Sequence, residues 1–179
     1  MVKVALLLAN GFETIEALTT VDVLRRAKVQ CDTFGVDGED VISSHNITVK
    51  ADKRFDFEEI RDYDFLVLPG GLKGAETLRD TKEVIDLIKV FNEKNKYIAA
   101  ICAAPIALGR AGITEGLEMV CYPGMEENLV GAIIKNEGVV SCNNIITAKG
   151  AAYSADFAFE ILAKISKEKS KEIKKLMLF

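Results

Sequence analysis

The run Tyr97-Ile98-Ala99-Ala100-Ile101 has strand length and no solvent-facing polar alternation, so it demands cover on both faces. A strand buried in that way belongs to a sheet sandwiched between helices. The run passes straight into Cys102, then into Ala103-Ala104-Pro105, small residues and a proline suited to a first helical turn. Strand, tight turn and helix with a thiol at the corner is the layout that lifts a nucleophile out of an α/β sheet among backbone N–H groups. Alanines stand where the G-x-S-x-G form has glycines, so the spelling is lost and the layout kept. A helix N-terminus beside the sulfur favours thiolate and predicts a lowered pKa. The plainer reading of Cys102 is a buried structural cysteine.

The rest of the chain repeats that logic. Val2 to Ala9 is an apolar run ending on Asn10-Gly11; Thr14 to Ala27 has helical spacing; Gln30 to Val36 alternates as a second strand. Together they predict a βαβ unit with a right-handed crossover. Val41 to Lys50 breaks the rhythm as a hairpin turning at Ser43-Ser44-His45-Asn46. Phe65 to Leu68 is another buried strand, stopped by Pro69-Gly70-Gly71. Ala75 to Lys94 reads as helix broken near Asp80-Thr81, and Gly112 as the cap of the helix after Cys102. Met119-Val120-Cys121 predicts a short strand, Met125 to Gly131 a short helix, and Val139-Val140 with Ile145-Ile146-Thr147 a late hairpin. Tyr153 to Ile165 is an amphipathic helix, and residues 166–179 a basic helical tail whose lysines read as a solvated face. No repeat or linker divides the chain, so residues 1–179 read as a single α/β domain built on a mostly parallel sheet, with one inserted β-hairpin. Ligands of such sheets bind beyond the carboxyl ends of the strands. The turns at Asn10-Gly11, Pro69-Gly70-Gly71 and Cys102 converge there if their strands are neighbours.

The formal net charge of −4 gives no electrostatic reason to bind nucleic acid or an anionic membrane. The Val4 to Ala9 run is too short to span a bilayer and lacks a signal-peptide cleavage site, so the reading is cytoplasmic. Four scattered cysteines and one histidine, with no C-x-x-C pair, argue against a metal site. In a cytosolic setting the cysteines are expected as reduced thiols, with Cys31, Cys121 and Cys142 as core or strand-end residues.

A reactive thiol needs a base or charge partner. His45 sits in the hairpin turn, and a protruding hairpin does not reach a strand-end site, so it reads as a surface residue. Glu13 and Glu16 open the first helix at the end of the sheet where Cys102 belongs. Glu13 is read as an ordinary first-turn acid at the rim, whereas Glu16, between Ile15 and Ala17, suits partial burial. Burial would keep Glu16 protonated and able to donate to sulfur. Backbone N–H groups of Gly70, Gly71 and Ala103 could form an oxyanion hole, or Pro69-Gly70-Gly71 could be a plain tight turn. Tyr122 either brings a hydroxyl to the rim or packs.

Several segments together resemble the ThiJ/PfpI family, on the branch of the human Parkinson-disease-associated protein deglycase. They are Ala9-Asn10-Gly11-Phe12-Glu13-x-x-Glu16, Asp22 to Ala27, Leu68-Pro69-Gly70-Gly71-x-x-Gly74-Ala75-Glu76-x-Leu78, Ala99 to Pro105, and Cys121-Tyr122-Pro123-Gly124. The resemblance implies a flavodoxin-like three-layer sandwich with helices on both faces of the sheet, a homodimer, and no metal or organic cofactor. It puts Cys102 on the oxidation-sensitive nucleophile, Glu16 on its protonated partner, and Gly71 and Ala103 on backbone donors. Asn10 and Glu13, with Tyr122, fall at the pocket rim. The activities implied are glyoxalase and deglycase, with a small aldehyde or a glycated compound as substrate; the alternative is a non-catalytic redox sensor or redox-linked chaperone using the same cysteine. Ala103 stands where the protease-like branch has histidine, which argues against peptidase activity. Tyr122 stands where human-like members have histidine, and Lys149-Gly150-Ala151-Ala152-Tyr153 replaces a Gly-Pro-Gly turn.

Overall fold

The computed structural model describes residues 2–179. β1 (Lys3–Leu8), α1 (Thr14–Arg26) and β2 (Gln30–Gly35) form the expected βαβ unit, with Lys3 opposite Gln30 and Leu8 opposite Gly35. The hairpin follows as β3 (Asp40–Ile42) and β4 (Thr48–Lys50), then β5 (Lys53–Arg54) and α2 (Phe57–Ile60). β6 (Phe65–Leu68), α3 (Leu72–Asp80), α4 (Lys82–Glu93), β7 (Tyr97–Ile101) and α5 (Pro105–Ala111) carry the chain through Cys102. β8 (Glu118–Met119), β9 (Ile133–Ile134), β10 (Val139–Cys142), β11 (Ile145–Ala148), α6 (Ser154–Ile165) and α7 (Lys167–Leu176) complete it.

The main sheet has the order β10-β11-β7-β6-β1-β2-β5, and every pairing except β10 with β11 is parallel. Val4 to Leu8 are fully buried, with Val4, Leu6 and Leu8 facing the layer of α1, α6 and α7 and Ala5 and Leu7 facing that of α3, α4 and α5. Each such leucine contributes about 1.5–3 kcal/mol by leaving water, so the unbroken apolar spelling of β1 is what a doubly covered strand requires. β7, β6 and β1 are adjacent, so the turns after them do converge. Between β1 and β6 the strand order reverses, which opens a crevice at their carboxyl ends.

Local chemistry sets the breaks. Thr81 is extended between α3 and α4, and Gly112 caps α5 at φ +73°, a left-handed position suited to glycine. Residues 125–131 form only a 3-10 turn, Glu126–Asn128, because so short a stretch cannot nucleate a helix unaided. The strand expected over 119–121 is only its first residue: β8 pairs with β9 in a separate two-stranded sheet. β5 and α2 are too short to leave a periodic signal.

Two expectations need correction. The hairpin does not protrude: Gly11 N donates to Ile42 O (2.7 Å), Ile42 N to Asn10 Oδ1 (2.9 Å) and Ser44 N to Phe12 O (2.8 Å), so it lies on the turn after β1. The basic tail is not simply solvated either. α7 buries Ile173, donates from Ser170 Oγ to Phe159 O (2.9 Å) and from Lys169 Nζ to Ala27 O (3.0 Å), and sets Lys174 Nζ 5.0 Å from the Phe159 ring.

Candidate active site

Cys102 has φ +63°, a left-handed conformation that costs a non-glycine residue roughly 1–2 kcal/mol. Neighbours fix it there: Cys102 N donates to Ala148 O and Cys102 O accepts from Tyr122 N, both at 2.8 Å. Ala104 N closes a tight turn onto Ile101 O, and Pro105 opens α5, where its missing N–H is no loss. The main chain therefore turns sharply at the sulfur-bearing residue, and Cys102 is half-buried at the carboxyl end of β7.

Glu16 comes to this corner from the first turn of α1. It is 1% exposed, and its Oε2 accepts Gly70 N at 2.8 Å. Oε1 is buried with no hydrogen-bond partner, and the carboxyl lies near enough to the Cys102 thiol for each to act on the other. Glu13 N donates to Gly70 O (2.9 Å), so the turns after β1 and β6 are stitched together beside the thiol.

Gly70 was expected among the oxyanion donors, but its N–H is spent on Glu16. The N–H groups that reach the sulfur are those of Ala103 and Gly71. Gly71 has φ +84°, and a Cβ there would stand 2.2 Å from Gly11 O. Only glycine can hold that N–H so close to the neighbouring turn.

The two acids behave as one unit. Burial raises Glu16 to about 7, against hydrogen bonds from Cys102 and Gly70, with the Glu13 charge adding to the rise. Burial and then the Glu16 charge push Cys102 up to about 12, against the Ala103 and Gly71 N–H groups. The lowered cysteine pKa expected from the helix terminus is therefore corrected: burial and a like charge outweigh the N–H groups. Between the two steps the pair carries one negative charge and one shared proton, and sulfur is anionic only when that proton rests on Glu16. Alkylation of Cys102 should accordingly rise with pH and inflect near the first step, about 7. A profile that follows an ordinary free thiol, inflecting at about 8.5, would show the sulfur ionising alone.

The remaining expected rim residues divide. Tyr122 is 51% exposed, and its Cδ2 lies 3.7 Å from an ideal Cβ built on Gly150, itself 3.9 Å from Cys102 Sγ. Asn10 and Glu13 instead turn to the hairpin. Asn10 lines a cleft of about 610 Å³ with Ser43, Ser44, Leu72 and Lys73, beyond Gly71 from the thiol. Glu13 accepts from Ser44 Oγ (3.1 Å) and lies 3.7 Å from Nδ1 of His45, which is 70% exposed. Gly150 reaches the site because β11 pairs in parallel with β7, Ala148 opposite Ile101. The signal for it was the stretch Lys149-Gly150-Ala151-Ala152-Tyr153, which the resemblance puts in place of a Gly-Pro-Gly turn at the pocket or dimer edge. Among the described residues no cluster of three or more His, Cys, Asp or Glu side chains could hold a metal ion, and no helix is long and apolar enough to cross a membrane.

The profile of the DJ-1/PfpI family matches residues 2–164. Protein DJ-1alpha of Drosophila melanogaster is 37% identical over 179 residues, covering 97% of this chain and 82% of that protein. The Parkinson disease protein 7 homolog of Danio rerio is 30% identical over 173 residues, covering 91% and 89%. Oxidised Toxoplasma gondii DJ-1 superposes with a TM-score of 0.93 at 33% identity, covering 100% of this chain and 99% of that one.

Proposed function

Because the chain belongs to the DJ-1/PfpI family, we propose that it is a cysteine-dependent enzyme acting on small reactive carbonyls, of glyoxalase or deglycase type. The observation that carries this reading is the buried Glu16 carboxyl, holding its proton up to about 7 against a thiol on a strained corner. In the proposed reaction, Cys102 Sγ adds to the aldehyde carbon of an α-oxoaldehyde. The developing oxyanion faces the Ala103 and Gly71 N–H groups and takes the Glu16 proton, giving a hemithioacetal. The Glu16 carboxylate then removes the proton from the former aldehyde carbon, and a proton returns at the adjacent carbon. The product of that shift is a thioester of the 2-hydroxy acid, which water hydrolyses to free the thiol. The net change is addition of one water with no external oxidant. A cytoplasmic homodimer acting on a small aldehyde or glycated compound belongs to the same proposal.

The test is lactate formation from methylglyoxal. Cys102→Ala is expected to abolish it, and Glu16→Gln to lower it by about 10²–10⁴-fold, the range for loss of a general acid–base. Equal activity in Cys102→Ala would sink the reading. A redox-sensing role is the second reading, favoured by the likeness to an oxidised relative and by N–H and carboxyl groups suited to hold sulfinate oxygens. A selective two-oxygen mass gain at Cys102 under graded peroxide, with no aldehyde turnover, decides for it.

A further inference from the structure

Approach to the Cys102 sulfur is closed on one side and open on another, and both sides are set by glycines. At Gly70 an added Cβ would stand 2.6 Å from Cys102 Cβ, so that wall is already in contact. At Gly150 an added Cβ would meet nothing nearer than Tyr122 Cδ2 at 3.7 Å and Cys102 Sγ at 3.9 Å. Space for about one methyl group therefore lies directly over the sulfur, with the edge of an aromatic ring along it. Neither boundary is loose. Tyr122 N is bonded to Cys102 O, and Tyr153 N to Gly150 O, both at 2.8 Å. Lys149 N donates to Gly138 O at 2.9 Å, and Gly138 lies against the Tyr153 ring.

We infer that Tyr122 and Gly150 together determine which carbonyl compounds reach Cys102, admitting α-oxoaldehydes with a flat apolar or aryl substituent that lies over Gly150 against the Tyr122 ring. This rests on the reaction proposed above. The ring edge supplies an edge-to-face contact to an aryl group, and the missing side chain at Gly150 leaves the substituent its place. Tyr122 is half-exposed in the single chain, so the slot leads outward along the residue and not into the core.

Two measurements test the inference. The first is the ratio of kcat/KM for phenylglyoxal to that for methylglyoxal. Tyr122→Leu is expected to lower this ratio about three- to tenfold, the range for one aromatic pair. The second is the rate of Cys102 alkylation by iodoacetamide and by N-benzyl iodoacetamide, which reads access without turnover. Gly150→Val should slow both, and the benzyl reagent at least tenfold more than the small one. Gly150→Ala, whose Cβ makes only ordinary contacts, should show the same order with smaller effects and guards against a misfolded valine variant. An unchanged aldehyde ratio in Tyr122→Leu, or equal slowing of both reagents in the Gly150 variants, overturns the inference. If the parent turns over neither aldehyde, the enzymatic reading fails, and the alkylation ratio alone decides whether this slot selects what meets the sulfur.

Discussion

At pH 8, Glu16→Gln is expected to unfold about 6–12 °C above the parent, while at pH 4.5 the two should melt together. The sign follows from linkage. Folding raises Glu16 from 4.5 to about 7, so the folded chain holds this proton more tightly than the unfolded one. Stability from that preference is complete below about 4.5 and is lost as pH rises through about 7. A shift of that size corresponds to about 3 kcal/mol, and each kcal/mol moves the melting point of a chain this long by about 2–4 °C. Glutamine keeps an oxygen for Gly70 N and has no proton to lose, so its stability should be flat over the window. Thermal melts of both forms between pH 4.5 and 8 check this. A pH-independent difference, or no gain at pH 8, would show that the carboxyl is not held protonated by burial. The same substitution removes the proton carrier of the proposed reaction, so the gain in stability and the loss of turnover should appear together.

Gly70→Ala should cost at least about 10²-fold in both Cys102 alkylation and turnover, the scale for displacing a reacting group by about 1 Å. Its Cβ would stand 2.5 Å from Glu16 Oε2, 2.6 Å from Cys102 Cβ and 2.9 Å from Ile101 O. Only Glu16 Oε2 ends a long side chain, and that side chain is buried; Cys102 Cβ and the Ile101 backbone oxygen sit on the main chain of the corner and have little room to yield. One methyl group therefore displaces the carboxyl oxygen and the Cβ that carries the thiol. Circular dichroism on the same preparations separates displacement from unfolding. A well-folded Gly70→Ala with parental alkylation would mean that the turn after β6 relaxes freely.

The parts of this architecture legible in the sequence were those written in burial. The runs at Val2 to Ala9, Phe65 to Leu68 and Tyr97 to Ile101 read as buried strands, and each ends on a turn whose chemistry pointed to the site. Glu16 was legible for the same reason, as an acid set between Ile15 and Ala17. What stayed hidden depends on distances between segments far apart in the chain. That Gly70 gives its N–H to Glu16 and not to the sulfur is a matter of aim within a two-residue turn. The docking of the hairpin onto Asn10 to Phe12 runs mostly through backbone groups, which every sequence has. The balance between burial and N–H donors at Cys102 is likewise a difference of opposing effects, which spacing alone does not give.

The left-handed backbone at Cys102 also bears on how the thiol meets a reactant. The position of its Cβ is set by the main chain and by Gly70 alongside it, so part of the search for an attacking geometry is over before the encounter. The disorder that a mobile thiol would have to surrender at each collision is surrendered once, when the chain folds. Torsional strain at a single residue is the permanent counterpart of that readiness, carried by the surrounding hydrocarbon core.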